Sequence, residues 1–314
     1  MNTGRFELER QIGAGGMGAV WKGRDAETAR PVALKFIHPM VASDPEYVRR
    51  FENEVEAARR IRSPHVVQVY GYGRREGQPF LAMEYVEGES LAELLDRRKT
   101  LTWDEARPIA LAVAKALQAA HAAGVIHRDV KPSNILIDQR ATTIACTGLP
   151  AMSVKLADFG IARTSDLTQL TQGPIGTLAY MAPDQEASPS SDLYALGCVL
   201  FEMLVGRPPF TGTTITALLK AHALQKPALH LVPAPARALV RDLLAKKPAQ
   251  RPQSAAAVVA ILEGTAKPPS GFTSRVSAET AIRAAVRAQS EMPFWLRLGI
   301  AVGVSITAYS IRGL

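Results

Sequence analysis

The chain has 314 residues, 47% of them hydrophobic, and its 37 Lys and Arg against 29 Asp and Glu give a formal net charge of +8. This composition excludes intrinsic disorder, and the lack of repeated long apolar runs excludes a polytopic membrane protein. The chain has only two cysteines, which excludes a disulfide scaffold or a CxxC metal site and fits a reducing compartment. No apolar segment follows Met1, so we expect no signal peptide. The positive charge is compatible with binding to nucleic acid, a membrane surface or an acidic ligand. Half of it lies in residues 265–314, where six basic and two acidic residues give +4.

Short apolar runs separated by turn residues predict a β-rich lobe with one helix at the start of the chain. The predicted strands are 5–11, 19–23, 31–37, 66–72 and 79–85, and the helix is 45–62. From Ser90 onward helices predominate, and Thr102 and Glu105 form a capping box for a helix that runs to Ala123. Further helices are predicted at 191–205, 214–222, 235–245 and 254–262. We therefore expect an α+β fold with a small β-rich lobe, residues 1–86, and a larger helical lobe, residues 87–264.

A glycine-rich segment between the first two predicted strands matches the pattern G-x-G-x-x-G. Its glycines are Gly13, Gly15 and Gly18. A dinucleotide-binding βαβ unit would require a helix directly after the glycines, but residues 19–22 read as a strand. The segment therefore predicts a hairpin, which is either an ordinary flexible turn or a loop whose backbone N–H groups cover phosphates.

One lysine lies in an otherwise apolar predicted strand, Lys35 within 32–37. A buried cation requires a partner, although an edge-strand lysine could instead reach solvent along its own stem. The next helix presents a core-facing stripe at helical spacing, formed by Phe51, Val55, Ala58 and Ile61. Because Glu54 lies on that stripe, we expect it to meet Lys35.

The segment His127–Asn134 places a carboxylate, a cation and an amide within a few residues, between two apolar stretches. Asp129 can accept a hydroxyl proton, and the side-chain oxygen of Asn134 can bind a hard cation. Asp158-Phe159-Gly160 follows the next predicted strand. The alternative interpretation of these residues is a polar loop with helix caps.

Taken in order, these motifs resemble those of the protein kinase family: the glycine loop, the strand lysine, the helix glutamate, H-R-D-x-K-x-x-N, D-F-G and an A-P-E-like segment. The resemblance covers about residues 6–264 and is most similar to bacterial serine/threonine kinases of the eukaryotic type. It implies a bilobal kinase fold and transfer of the γ-phosphoryl group of ATP to Ser or Thr hydroxyls of protein substrates. Lys131, two residues after Asp129, is similar to the Ser/Thr rather than the Tyr pattern.

The resemblance also implies a role for each motif residue. Gly13, Gly15 and Gly18 would cover the ATP phosphates, and Lys35 would hold the α- and β-phosphates and pair with Glu54. Asp129 would orient the substrate hydroxyl and accept its proton, Lys131 would neutralise the transferring group, and Asn134 and Asp158 would bind Mg²⁺, with Mn²⁺ as the alternative metal. The adenine would lie between Ile12, Val20, Ala33, Met83 and Leu136, with hinge backbone groups from Glu84 and Val86. Each of those apolar residues would equally suit an ordinary core.

An activation segment is implied between Asp158 and Asp184, and in such kinases the arginine before the catalytic aspartate, here Arg128, pairs with a phosphate on that segment. We expect autophosphorylation at Thr171, with Thr168 second, and a mobile polar loop as the alternative. Thr177 is expected to hydrogen-bond near Asp129 and Lys131.

The chain departs from the family pattern at three places. Asp184 replaces the usual glutamate of A-P-E and, being one methylene shorter, predicts a looser or water-bridged pair with Arg251. Residues 140–151 form an apparent insert between two strands, to which we assign no function, and the stretch between Asp184 and Asp192 is short. Asp192 itself is expected to brace the catalytic loop.

A basic linker, residues 265–293, and an apolar stretch, residues 294–311, follow the helical lobe. The apolar stretch is long enough for a single membrane-spanning helix, with Trp295 and Tyr309 near its ends. Gly299 and Gly303 form G-x-x-x-G, a weak signal for a homodimer. These features predict a kinase domain in the cytoplasm, anchored to the cell membrane, and the alternative is an amphipathic or self-packed helix.

Three functional hypotheses follow from the sequence. The first is an active kinase, and the second is a membrane-associated pseudokinase scaffold that binds partners without catalysis. The scaffold hypothesis is disfavoured because the chain retains the motif residues Lys35, Asp129, Asn134 and Asp158. Only Asp184 and the insert favour it. Nucleic-acid binding is the third, and we expect none because no basic patch with interleaved aromatic residues is present.

Overall fold

A computed structural model describes residues 5–15, 18–38, 45–144, 150–159, 178–184 and 186–266. The chain divides into two units, Met1–Pro268 and Pro269–Leu314, and the division falls within the Pro- and Gly-rich stretch 264–271. The second unit lies outside the described residues. The first unit consists of a β-rich N-lobe and a helical C-lobe, as the sequence predicted.

The N-lobe is an antiparallel sheet with the strand order β1-β2-β3-β5-β4. Its strands are β1 (Phe6–Gly15), β2 (Gly18–Asp25), β3 (Pro31–Ile37), β4 (Val69–Arg75) and β5 (Gln78–Glu84). Side chains alternate along β3, so Val32, Leu34 and Phe36 pack with Phe6 and Phe80 on one face. Ala33 and Ile37 belong to the main core on the other face, where helix α1 (Pro45–Ala58) buries the predicted stripe.

The glycine-rich segment is the turn of the β1–β2 hairpin, with Gly15 directly opposite Gly18. Gly18 has a φ of +138°, and a Cβ atom there would lie 1.8 Å from the backbone oxygen of Phe36 on β3. Glycine is therefore required at this position both by the backbone angle and by the close approach of the neighbouring strand.

The C-lobe is built around two long helices, α3 (Trp103–Ala122) and α4 (Pro189–Val205), the second of which is almost entirely buried. The other described helices are α2 (Leu91–Arg98), α5 (Ile215–Leu224), α6 (Ala234–Leu243) and α7 (Ala255–Glu263), and short 3₁₀ turns lie at Pro132–Asn134, Leu229–Leu231 and Pro248–Gln250. The predicted capping box at the start of α3 is confirmed, because Thr102 accepts from the Glu105 backbone and Glu105 accepts from that of Thr102. Such local signals position helix starts accurately because both partners lie within one turn.

A second, three-stranded sheet lies in the C-lobe: β6 (Gly88–Ser90), β7 (Ile135–Ile144) and β8 (Pro150–Leu156) in the order β6-β7-β8. The insert 140–151 extends the β7–β8 hairpin, with Thr143 opposite Ala151 after a register shift that follows Asp138. Residues 145–149 lie outside the described part. The catalytic segment predicted from the sequence lies just before β7, and Asp158 just after β8.

Several predicted element boundaries were wrong. Strand β1 runs to Gly15 rather than to residue 11, and β4 runs to Arg75 rather than to residue 72. Helix α1 ends at Ala58 rather than at residue 62, and β4 begins at Val69 rather than at residue 66. The intervening residues pair with β8 instead: Val67 N–H donates to the Leu156 oxygen at 3.0 Å, and Leu156 N–H donates to the His65 oxygen at 2.8 Å. This tertiary pairing has no local signal in the sequence.

Within the described ranges no helix is long and apolar enough to cross a membrane. The predicted helix 294–311 and the linker from residue 267 onward lie outside those ranges. The membrane anchor therefore stays a prediction.

Candidate active site

A buried aspartate at the first turn of α4 holds the catalytic loop. Asp192 is 1% exposed and accepts hydrogen bonds from the backbone N–H groups of His127 and Arg128, both at 2.9 Å. Its second oxygen also lies 2.8 Å from His121 Nε2. These bonds stabilise Arg128 in a left-handed conformation, with a φ of +64°, which costs a non-glycine residue free energy. The geometry matches the bracing role predicted for Asp192.

His127 links the catalytic loop to the segment that carries Asp158. Its ring is fully buried, accepts the Asp129 backbone N–H on Nδ1 at 3.2 Å and donates from Nε2 to the Ala157 oxygen at 2.9 Å. The ring also packs against Phe159, with centroids 4.6 Å apart. Burial lowers the pKa of His127, so the ring is neutral. This role of His127 was not predicted from the sequence, although its place after the apolar Val125–Ile126 was an available signal.

Three of the predicted catalytic residues meet at Asp129. Lys131 Nζ lies 2.8 Å from Asp129 Oδ2. The Asn134 amide nitrogen donates to the Asp129 backbone oxygen at 2.8 Å and to Asp129 Oδ2 at 3.2 Å. Since the amide nitrogen faces Asp129, the Asn134 side-chain oxygen faces the other way. A carboxylate fixed between a cation and an amide is thus presented at the C-lobe surface of the cleft, 12% exposed.

Lys35 does have the carboxylate partner that its apolar strand required, but the partner is Asp158. The Lys35 Nζ lies 2.9 Å from Asp158 Oδ1. Burial acts to raise the pKa of Asp158, but the charge of Lys35 and its hydrogen bond outweigh burial, and the net pKa is lowered. Asp158 is therefore ionised at neutral pH, in a left-handed conformation with a φ of +59°.

Glu54 does not pair with Lys35 in this structure, contrary to the prediction. Its Oε1 lies 3.0 Å from Arg128 Nη1 across the two lobes. Burial raises the pKa of Glu54, and Arg128 partly offsets that rise. The helical spacing of the stripe predicts which side of α1 carries Glu54, but the partner of Glu54 depends on how α1 packs against the C-lobe.

Most of the residues predicted to hold adenine lie on strands of the N-lobe sheet, whereas Leu136 lies on β7 of the second sheet. Ala33 and Met83 are directly opposite each other across β3 and β5, and both are buried. Val20, Val86 and Leu136 are partly buried against the same core, whereas Ile12 is 38% exposed. Gly13 lies opposite Val20 across the hairpin. Val20 in turn lies opposite Lys35 on β3.

One further charged residue at this site, Lys155, was not predicted from the sequence. Its Nζ lies 3.1 Å from each carboxylate oxygen of Glu84, a residue predicted to act only through its backbone. The signal was available, because Lys155 interrupts the apolar run 154–157 in the way Lys35 interrupts its own strand.

Asp184 forms a direct, two-pronged pair with Arg251, so the expectation of a looser or water-bridged contact was wrong. The Arg251 Nη2 lies 2.5 Å from Asp184 Oδ1, and Nη1 lies 3.4 Å from Oδ2. The Arg251 side chain is fully buried and also donates to the backbone oxygens of Ala245, Lys246 and Ser190. These bonds bring the guanidinium to the shorter side chain.

The predicted phosphorylation sites Thr168 and Thr171, as well as Thr177, lie outside the described residues. Within the described ranges, no group of three or more His, Cys, Asp and Glu side chains forms a metal cluster.

Comparison with known proteins identifies the family. The protein kinase domain profile matches residues 6–260. The chain is 37% identical to the serine/threonine-protein kinase PknA of Mycobacterium tuberculosis over 322 aligned positions, which cover 92% of this chain and 72% of PknA. It is also 37% identical to the probable serine/threonine-protein kinase PknB of Corynebacterium glutamicum, covering 88% of this chain and 44% of that protein.

Solved structures agree with this assignment. The crystal structure of the Mycobacterium tuberculosis PknI kinase domain superposes with a TM-score of 0.66 at 28% identity, covering 85% of this chain and 98% of that one. Rad53 in complex with AMP-PNP also gives a TM-score of 0.66, at 26% identity, covering 81% of this chain and 64% of that one. No finding favours a pseudokinase. The chain therefore belongs to the protein kinase family and is a serine/threonine-protein kinase, an ATP-dependent phosphotransferase.

Proposed function

We propose that Asp129, held between Lys131 and Asn134, is the centre at which this kinase transfers the γ-phosphoryl group of ATP to a Ser or Thr hydroxyl. This proposal rests on the geometry at the Asp129 carboxylate, whose Oδ2 lies 2.8 Å from Lys131 Nζ and 3.2 Å from the Asn134 amide nitrogen. Phosphoryl transfer requires little covalent chemistry from the protein, so positioning and charge neutralisation supply the rate.

The residues present fit a magnesium ion bound together with ATP. Asp158 is ionised and offers carboxylate oxygens, and Asn134 has an amide oxygen directed away from Asp129. Hard oxygen ligands of this kind suit Mg²⁺, which takes its remaining ligands from phosphate and water. Mn²⁺ prefers similar ligands. When bound, the metal neutralises phosphate charge, and Asn134 and Asp158 are the residues that would hold it.

Each of the chain's own site residues would then have a separate role in phosphoryl transfer. Asp129 accepts the hydrogen bond of the substrate hydroxyl and takes its proton, while Lys131 stabilises charge on the transferring group. Lys35 binds the α- and β-phosphates, and the hairpin glycines Gly13, Gly15 and Gly18 let backbone N–H groups approach the phosphates closely. The adenine would contact Ala33, Met83 and Leu136.

Substitution of Asp129 tests this assignment. Asp129→Asn preserves the shape of the side chain but removes the proton acceptor, so transfer of phosphate from ATP to a generic protein substrate should fall by at least about a hundredfold. The matched control is Asp104→Asn at an exposed position in the first turn of α3, which should leave transfer unchanged. Equal phosphate incorporation by wild type and Asp129→Asn would overturn the assignment.

We further infer that phosphorylation of Thr171, with Thr168 as the second site, activates the kinase. Arg128 pairs with Glu54 at 3.0 Å in the described structure. A phosphate carries more negative charge than a carboxylate and would compete for Arg128. Glu54 would then be free to pair with Lys35, the pairing expected from the family.

Peptide mapping by mass spectrometry tests this activation. Active wild-type protein should carry phosphate at Thr171, and the Asp129→Asn variant expressed in the same way should not. Phosphate missing from both threonines in protein with full activity would contradict the proposal.

The tail supports a separate proposal, that residues 294–311 anchor the kinase domain to the cytoplasmic face of the cell membrane. The basic residues of the linker favour anionic lipid, each by about 1 kcal/mol, and Gly299 and Gly303 would favour a homodimer in the membrane. Sedimentation with membranes that resists carbonate is the expected result. Release of the full chain into the supernatant would count against the anchor.

A further inference from the structure

An ion pair connects the hinge of the N-lobe to the strand that leads to Asp158. Lys155 on β8 contacts both carboxylate oxygens of Glu84, the last residue of β5, at 3.1 Å. The Lys155 side chain is 14% exposed and that of Glu84 is 27% exposed, so water screens this pair less than it screens a surface pair. The Glu84 carboxylate also accepts the Gln68 backbone N–H at 3.2 Å, which fixes its orientation.

The backbone of the same β8 segment is attached to the N-lobe as well. Leu156 exchanges hydrogen bonds with the chain before β4, donating to His65 at 2.8 Å and accepting from Val67 at 3.0 Å. The His65 ring Nδ1 lies 3.2 Å from the Val154 oxygen. Residues 154–156 are therefore held by backbone bonds on their way to Asp158, and Lys155 supplies the side-chain bond that reaches the hinge.

Both ends of the ion pair continue into the nucleotide site. Glu84 directly follows Met83, which faces Ala33 across the sheet. Asp158 lies three residues after Lys155 and pairs with Lys35. Lys155 is itself directly opposite Leu136 across β7 and β8. The ion pair therefore joins the region that would hold adenine to the region that would hold phosphates and metal.

We propose that Lys155 is a positioning residue for nucleotide binding, and that its ion pair with Glu84 fixes the separation between the hinge backbone and Asp158. This inference rests on the proposed function, in which the hinge binds adenine and Asp158 acts at the phosphate end. Lys155 acts through Glu84 and through β8, and it does not touch the reacting atoms.

The adenine and the phosphates of ATP are covalently joined, so they contact the hinge and the Asp158 region at the same time. A site whose two ends are already held at the separation that bound ATP spans loses less conformational entropy on binding. Without the ion pair, the hinge and Asp158 would need to be ordered by the nucleotide. The free-energy cost of this ordering would weaken ATP binding. Asp129 and Lys131 would keep their positions once ATP is bound, so the chemical step would be unaffected. The expected signature is a raised KM for ATP with kcat nearly unchanged.

Lys155→Met, which keeps most of the aliphatic stem and removes the charge, is the test variant. We expect the KM for ATP and the Kd of the non-hydrolysable analogue AMP-PNP, measured by calorimetry, to rise by about three- to tenfold, between the effects of a surface pair and a buried pair. The value of kcat and the KM for the protein substrate should stay within about twofold. Lys115→Met is the matched control, because it breaks a lysine–carboxylate pair with Glu263 on the remote α3–α7 contact, at 2.7 Å, and should change none of these quantities.

Exchanging the charges of Lys155 and Glu84 distinguishes a positioning role of the ion pair from a general loosening of the fold. Glu84→Lys alone places two cations together and should weaken AMP-PNP binding at least as much as Lys155→Met, whereas Glu84→Lys combined with Lys155→Glu should recover most of the affinity. The role of Lys155 would be overturned by any of three results. These are wild-type affinity for AMP-PNP in Lys155→Met, no recovery of affinity in the exchanged double variant, and a loss of kcat as large as the rise in KM. The proposed function would still stand in those cases if Asp129→Asn abolished transfer, and it would fall if the wild type bound no AMP-PNP.

Discussion

At the scale of single residues, Gly18 in the glycine-rich hairpin has no room for a side chain. Gly18→Ala would force a Cβ atom to within 1.8 Å of the Phe36 backbone oxygen, at a φ of +138°. The strand cannot move away without losing its pairing with β3, so we expect a loss of about 2–4 kcal/mol in the free energy of unfolding. Urea denaturation followed by fluorescence measures it.

The control for this prediction is Gly77→Ala. Gly77 also has a positive φ, +81°, but a Cβ atom there meets nothing within 4 Å. Only the backbone strain remains, which costs about 1 kcal/mol. If the two variants lost equal stability, the close approach of β3 would not be the reason for glycine at position 18.

Two buried histidines make the stability of the fold depend on pH. Burial lowers the pKa of His127 and lowers that of His222 to about 4. In the unfolded chain both titrate near 6.5. The unfolded state therefore binds more protons as the pH falls from 6.5 toward 4, and the folded state loses stability over that range, by about 2 kcal/mol from His222 alone between pH 7.5 and 5. Above pH 6.5 this contribution is fully present.

Comparison of variants isolates the histidine contribution, because the raised pKa values of Glu54 and Glu202 act in the opposite direction. His222→Asn can keep the hydrogen bond with the Tyr194 hydroxyl, which lies 2.9 Å from Nδ1. Its free energy of unfolding should fall less than that of the wild type between pH 7.5 and 5. Parallel pH profiles for the two proteins would refute the assignment.

Lys35 and Lys155 show how far sequence reasoning reaches at this scale. Each lies in an apolar strand, and the cost of burying a lone cation predicts a carboxylate partner for each. That rule is correct for both, since Lys35 meets Asp158 and Lys155 meets Glu84. It cannot choose the partner, because Asp158 follows β8 in the C-lobe and reaches Lys35 only after the lobes have packed.

At the scale of elements, helix starts were predicted well and the end of α1 was not. A capping box such as that of α3 is complete within four residues. The end of α1 instead depends on β8, almost a hundred residues later, which pairs with the chain at His65 and Val67. The order of the catalytic motifs could be read from the sequence for the same reason as the caps, because each motif is short and local.

One ion pair, Asp184 with Arg251, attaches the end of the segment 178–184 to the rest of the C-lobe. Arg251 has no exposed side-chain surface, and Asp184 is its carboxylate partner. Asp184→Asn would leave the guanidinium buried without a counter-charge, although its backbone acceptors and the Tyr194 ring, 4.9 Å from Cζ, would remain. We expect a loss of about 2–3 kcal/mol in the free energy of unfolding, toward the lower end for a broken buried pair.

Asp184→Glu is the informative companion, because it restores the residue usual in the family. The aspartate already reaches Arg251 directly, so the extra methylene would gain no bond, and we expect a change of less than about 1 kcal/mol. Arg97→Gln breaks an exposed pair with Glu89 and serves as the surface control. A clear gain in stability from Asp184→Glu would show that the shorter side chain strains the pair.

At the scale of the whole molecule, the charge of +8 separates into two parts with different consequences. The +4 of the tail is concentrated in fifty residues next to an apolar stretch, where it favours an anionic surface. The other +4 is spread over 264 residues. Within the described part, the paired cations Lys35, Lys131 and Arg128 all lie at the cleft between the lobes, where a negatively charged nucleotide would be attracted.

Nucleotide binding by the two lobes should stabilise the whole molecule, and this effect separates binding from catalysis. A ligand that binds only the folded state at about a hundred times its Kd raises the free energy of unfolding by about 2.7 kcal/mol. We expect ATP with Mg²⁺ to stabilise the wild type by this amount, seen as a higher Tm. Asp129→Asn should keep the stabilisation while losing phosphate transfer, because Asp129 acts on the hydroxyl and not on ATP.

Lys35→Met, unlike Asp129→Asn, should lose both the stabilisation by ATP and the transfer of phosphate. It removes the cation that would hold the phosphates and leaves Asp158 without its partner at 2.9 Å, so the Tm without nucleotide must be measured first as a baseline for each variant. At the same ATP concentration its stabilisation should nearly vanish, and transfer should be lost because ATP is not held. If Lys35→Met were stabilised as much as the wild type, Lys35 would not bind the phosphates. If Asp129→Asn lost the stabilisation as well, Asp129 would contribute to holding ATP, and its effect on transfer could no longer be assigned to the proton alone.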